Sequence, residues 1–256
     1  MQPEQGMTGS RLLVLDFDGV ICDSVEECFV TSWTAFHERL PRTAEPAPGP
    51  DGPQAASVRD AFRRLRPFIR SGEDFMLIQR LVSRGIAPRS QAEFDRQWEE
   101  PDMPSRAEYK ELFYRARMRL WDRDPAAWLA MNHVYPHVPK ALARLSPRVP
   151  LYVLSTKKPP FVIAPLEAAR LFVPRERVLY SESEPKLATV ERLLRELGRE
   201  EAVFVEDQID AIRSNRNPRI RTFLATWGYV QPAWLRDPGS AVPLTPEAFE
   251  DLVASL

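Results

Sequence analysis

Five short runs of almost unbroken apolar residues govern what this chain can fold into: LLVLDF (12–17), PLYVLS (150–155), RVLY (177–180), AVFVED (202–207) and IRTFLAT (220–226). A strand with one wet face alternates apolar with polar residues, whereas a strand covered on both faces has no such need. Runs this continuous call for parallel strands sandwiched between helices, and the sequence between them supplies helices. In PKLATVERLLRELG (185–198), Leu187, Val190, Leu194 and Leu197 recur at helical spacing, with Pro185 at the entry and Gly198 at the exit. Strand alternating with helix predicts an α/β fold with a doubly wound parallel (Rossmann-like) sheet.

The alternation stops between the first run and the second. From Ser24 to His133 only helical stretches occur, among them SVEECFVTSWTAFHERL, GEDFMLIQRLVSRG and RAEYKELFYRARMRLW. An insertion of roughly a hundred residues is too long for a loop and predicts a second, all-α domain. The expected division is therefore 1–23 with 134–256 as the α/β core and 24–133 as a helical cap. The proline-rich PRTAEPAPGPDGP (41–53) reads as a connector inside the insertion.

In a parallel α/β sheet, ligands bind at the carboxyl ends of the strands, and the conspicuous polar residues fall there. Asp16 and Asp18 stand two apart at the end of the first run, so both project to the same side. They would raise each other's pKa unless a cation neutralised them. A second acidic strand end, VEDQID, offers Glu206, Asp207 and Asp210. Oxygen ligands without a cysteine or histidine cluster select magnesium over zinc. LSTKK ends another strand, where the hydroxyls of Ser155 and Thr156 and the backbone N–H groups of a turn can hold phosphate oxygens. Lys186, opening the next helix, can offset both phosphate and carboxylate charge. Metal, lysine and hydroxyls together describe a phosphoryl site.

These residues resemble the haloacid dehalogenase superfamily of hydrolases. DFDGVICDS is similar to its first motif, Ser155 in VLSTKK to its second, Lys186 in SEPK to its third and VEDQID to its acidic fourth. YPHVPKALARL (135–145) resembles the return from cap to core in phosphoglycolate phosphatase-like and β-phosphoglucomutase-like members. One departure is Glu206, which stands where many phosphatases of the family carry glycine. The resemblance implies that Asp16 is a nucleophile forming an aspartyl-phosphate and that Asp18 protonates the leaving alcohol and then activates water. It also implies a magnesium ion held by acids drawn from Asp16, Asp18, Glu206, Asp207 and Asp210, and a small phosphorylated metabolite as substrate. A phosphomutase of the β-phosphoglucomutase type would share the whole site. A noncatalytic binding module would keep the fold and lose the nucleophile, which is present here.

Substrate choice is expected from the cap, where RDAFRRLRPFIRSGED (59–74) offers Arg66 and Arg70 for a second anionic group, with Arg59 and Arg63 on a solvated face. Lys plus Arg number 35 against 36 for Asp plus Glu, a balance that offers no bulk field for nucleic acid or an anionic membrane. No apolar run approaches the roughly 18 residues of a membrane span, and the polar MQPEQGMTGS carries no export signal, so a cytoplasmic monomer or homodimer is expected. Cys22 and Cys28, with neither zinc-ligand nor disulfide-framework spacing, are expected to be buried as small apolar residues.

Overall fold

The computed structural model describes residues 11–39, 49–182 and 184–256, so most of the proline-rich connector lies outside the described residues. The chain divides into two compact units, Ser24–Asn132 and Met1–Asp23 with His133–Leu256.

The helical unit contains α1 (Val25–Arg39), α2 (Pro53–Leu65), α3 (Gly72–Ser83), α4 (Gln91–Arg96), α5 (Arg106–Arg123) and α6 (Pro125–Ala130). Its core is aromatic. Phe29 meets Phe62 edge to face at 5.4 Å between ring centroids, Phe62 stacks on Phe75 at 5.8 Å, and Phe75 on Phe113 at 5.1 Å. Trp33 packs into this core beside Phe29. Helix α3 opens at Ser71, whose backbone N–H donates to the Asp74 carboxylate, a capping arrangement that occupies an otherwise orphan donor.

The second unit is built on a six-stranded parallel sheet of β1 (Arg11–Leu15), β4 (Leu151–Ser155), β5 (Val178–Tyr180), β6 (Glu201–Glu206), β7 (Ile220–Ala225) and β8 (Val242–Leu244), in the order β5-β4-β1-β6-β7-β8. A short antiparallel pair joins β2 (Cys22–Asp23) to β3 (His133–Val134). Helices α7 (His137–Leu142), α8 (Pro160–Ala168), α9 (Lys186–Glu196), α10 (Pro232–Arg236) and α11 (Pro246–Ala254) accompany the sheet. The continuous apolar runs have the expected cause. Leu13, Leu15, Val203 and Val205 face one core layer with Val162 of α8 and Phe249 of α11. Leu12, Val14, Ala202 and Phe204 face the other with Val190 and Leu194 of α9. Successive residues alternate between two buried faces.

The chain winds outward from β1 through β4 to β5, and on the other side through β6 and β7 to β8. The reversal at β1 is the switch point where doubly wound sheets hold ligands. Strand β8 escaped sequence reading because it is three residues long and contains Pro243, which an edge strand tolerates. Strands β2 and β3, at two residues each, are too short to show periodicity. Both cysteines are buried thiols outside any disulfide among the described residues. Among the described residues, no helix is long and apolar enough to cross a membrane.

Candidate active site

At the end of β1 the backbone stays paired for one more residue, the Asp16 N–H donating to the Val205 carbonyl at 3.0 Å, and then turns sharply. The Phe17 carbonyl accepts from the N–H groups of Ile21 and Cys22, and Gly19 sits at φ 87°. That left-handed conformation suits glycine. Space demands it too, since a Cβ on Gly19 would lie 1.9 Å from Asp207 Oδ2.

Three strand ends and one helix start then converge. Lys186, the first residue of α9, donates to Asp16 Oδ1 at 2.8 Å and to Glu206 Oε2 at 2.6 Å. Glu206 ends β6 fully buried, and its Oε1 accepts the N–H groups of Asp207 and Gln208. Asp207 Oδ2 accepts the Tyr229 N–H at 2.8 Å. Oxygens of Asp16, Glu206 and Asp207 lie within 4.8 Å of one another, and all three residues are buried. Ser155 ends β4, and its Oγ accepts the Lys157 N–H at 3.1 Å, a local turn that sets the course of the chain as it leaves the strand. Thr156 stands beside it at intermediate burial.

Two predicted acids stand outside the buried trio. Asp18 Oδ1 accepts a bond from the Lys157 ammonium at 3.0 Å, so each aspartate of the DFD sequence has its own lysine. Asp210 is exposed in the 3₁₀ turn Ile209–Ala211, with its N–H bonded to Gln208 Oε1. Asp210 is not among the carboxylates that gather with Asp16.

Within the helical unit, Arg66 is buried over the Phe75 ring at 5.3 Å, and Arg70 forks onto both oxygens of Asp95 at 2.7 and 3.2 Å. Arg59 is not on a solvated face. Its guanidinium lies 4.6 Å over Phe29 and donates to Glu26, because α2 carries it against α1.

Sequence reasoning passed over Lys157 and Tyr229. Lys157 lies in LSTKK, where the neighbouring hydroxyls are the more conspicuous phosphate donors. Tyr229 follows β7, and its hydroxyl also donates to Asp23 Oδ1 at 2.7 Å. The available signal was Gly228 just past a buried strand: a Cβ there would lie 2.5 Å from Asp207 Cβ and from the Gly19 carbonyl.

Burial raises the Asp16 pKa to about 7, helped by repulsion from Glu206 and opposed by Lys186. Burial alone would lower the Lys186 pKa, but Asp16 and Glu206 outweigh it and hold the ammonium charged. Three buried carboxylates gather here, and Lys186 bonds two of them, Asp16 and Glu206. A hard divalent cation fits that excess of negative oxygen, and the donor set contains no sulfur or imidazole.

Comparison with known proteins agrees with this architecture. The family model of haloacid dehalogenase-like hydrolases matches residues 11–217. A phosphoglycolate phosphatase candidate from Lactobacillus delbrueckii subsp. bulgaricus superposes with a TM-score of 0.61 at 16% identity, over 96% of this chain and 98% of that one. A predicted phosphoglycolate phosphatase from Haemophilus somnus gives 0.56 at 17% identity, over 97% and 98%. A haloacid dehalogenase-like family protein from Streptococcus pneumoniae gives 0.56 at 15%, over 97% and 99%. No curated protein matches the sequence at a significant level. At these identities the structures speak for the fold, while the family match spans most of the sequence: the chain belongs to the haloacid dehalogenase-like hydrolases.

Proposed function

We propose that this hydrolase is a magnesium-dependent phosphatase that releases phosphate from a small phosphorylated metabolite through an aspartyl-phosphate. The observation that carries the reading is Asp16: a buried carboxylate at the switch-point strand end, bonded to Lys186, crowded by two further carboxylates and followed two residues later by a second aspartate with its own lysine. In the first half-reaction an Asp16 oxygen attacks phosphorus, the ester P–O bond breaks, and Asp18 gives its proton to the departing alkoxide. In the second, Asp18 takes a proton from water, the hydroxide attacks phosphorus, and the Asp16 carboxylate is regenerated with release of phosphate. The Ser155 hydroxyl, which accepts from the Lys157 N–H, has its own hydrogen to give a phosphoryl oxygen, with Thr156 and the turn backbone beside it. Lys186 meets the growing negative charge. Asp16, Glu206 and Asp207 would hold magnesium, which when bound supplies the charge that lets a carboxylate approach a phosphate dianion.

The test is phosphate release from a panel of phosphate esters with magnesium, with chelator, and by Asp16→Asn. Activity that survives chelation or the substitution rejects the reading. A requirement for a bisphosphate activator moves the chain to the phosphomutases.

A further inference from the structure

The second lysine of the site has no place in the chemistry above. The Lys157 side chain is 2% exposed, and its ammonium lies 3.0 Å from Asp18 Oδ1 and 5.3 Å from the centroid of the Phe17 ring. Its backbone N–H is tied to Ser155 Oγ. The side chain therefore runs from the end of β4 to the DFD segment after β1. A buried ammonium is retained where a partner compensates its lost hydration, and here the carboxylate that meets it is Asp18, while Asp16 and Glu206 have Lys186.

We propose that Lys157 is a positioning residue that acts through Asp18. A carboxylate turns about a broad, roughly two-fold final torsion, and a charge-assisted bond to a buried, doubly anchored lysine holds Asp18 in one orientation for proton delivery. The inference rests on the phosphatase reading, in which Asp18 serves the leaving group. It separates the two lysines by role: Lys186 serves the phosphoryl group, Lys157 the acid.

The separation has a kinetic signature. A dinitrophenolate departs without a proton, whereas an alkoxide must receive one. With the full chain and magnesium, Lys157→Met should lower kcat/KM, which reports leaving-group departure and not the later attack of water, on an alkyl phosphate such as glycerol 2-phosphate by about ten- to a hundredfold, within the 10²–10⁴ that general acid catalysis contributes. On 2,4-dinitrophenyl phosphate the loss should stay within about threefold, which also shows that the variant folds. In an Asp18→Asn background the same substitution should change the alkyl rate little, because its target is gone. If the methionine variant does not fold, Lys157→Gln enters the same comparison. Parallel losses on both esters would make Lys157 a phosphate ligand or a fold residue and overturn the inference alone, as would no loss on either. A wild-type chain inert toward both esters would overturn the phosphatase reading and this inference with it.

Discussion

Two of the places where the protein buries charge are built differently. In the helical unit, Glu27 of α1 is fully buried and receives Arg117 of α5 in a two-pronged bond, 2.8 Å to each oxygen. Thr31 at 2.8 Å, the Trp128 indole at 3.2 Å and the Cys28 thiol at 3.5 Å also donate to it. Burial works against the Arg117 charge, and Glu27 overrides it. One anion meets one cation, with donors for the remaining lone pairs. At the strand ends of the other unit three buried carboxylates gather, Lys186 bonds only to Asp16 and Glu206 among them, and Asp16 is pushed up to about 7. A balanced cluster ties helices together, whereas an unbalanced one stores a demand for positive charge that a ligand can meet.

The sharpest way to break this contrast is Asp16→Asn. Removing one of the crowded carboxylates should cut phosphate release by about a thousandfold or more, since the nucleophile is gone, while the thermal midpoint stays level or rises as repulsion is relieved. A large fall in stability would mean that the acid cluster is structural like its counterpart. Next in size is Arg117→Met, which strands Glu27 without its cation. Urea unfolding should show a loss of about 3–5 kcal/mol. The paired replacement Glu27→Leu with Arg117→Met should cost less than that single change. A single change without cost would show that the buried pair does not hold the helices.

The sequence revealed the cluster that the fold leaves unbalanced and said nothing of the balanced one. Asp16, Glu206 and Lys186 stood out because each interrupts an apolar strand end or opens the helix after it, places that local pattern alone identifies. Glu27 and Arg117 are ninety positions apart on two amphipathic helices, where an acid and a base look like solvated surface until the helices pack. The same limit hid the partnership of Lys157 with Asp18, 139 positions apart. It also hid Tyr229, whose contribution to Asp207 is a backbone N–H and so carries no side-chain signature.

Metal binding sharpens the contrast at a smaller scale. Magnesium at a hundred times its dissociation constant should raise stability by about 2.7 kcal/mol through mass action alone, read as a thermal midpoint that chelator reverses. Asp207→Asn should abolish the shift, while Asp210→Asn, at an exposed turn outside the trio, should keep it. Arg117→Met should keep it as well, from a lower starting midpoint. Loss of the shift in Asp210→Asn would return that acid to the ligand set.

The smallest effect expected is on pH dependence in the metal-free protein. Asp16 has an ordinary value of 3.8 and stands near 7 in the fold. Between those values the folded state holds a proton that the unfolded chain has released, so stability falls as pH rises through that window. From pH 6 to pH 8 the fall should be on the order of 1 kcal/mol. His137 works in the opposite sense: burial lowers its pKa, so the fold prefers the neutral ring and gains stability as pH rises toward the ordinary imidazole value. The informative quantity is therefore the difference between wild type and Asp16→Asn, in which His137 cancels. Wild type should lose stability relative to the variant across that interval, and saturating magnesium should remove the difference by favouring the ionised carboxylate. Parallel pH profiles in the metal-free proteins would show that Lys186 alone balances the site, leaving the strand-end cluster no different in kind from Glu27 with Arg117.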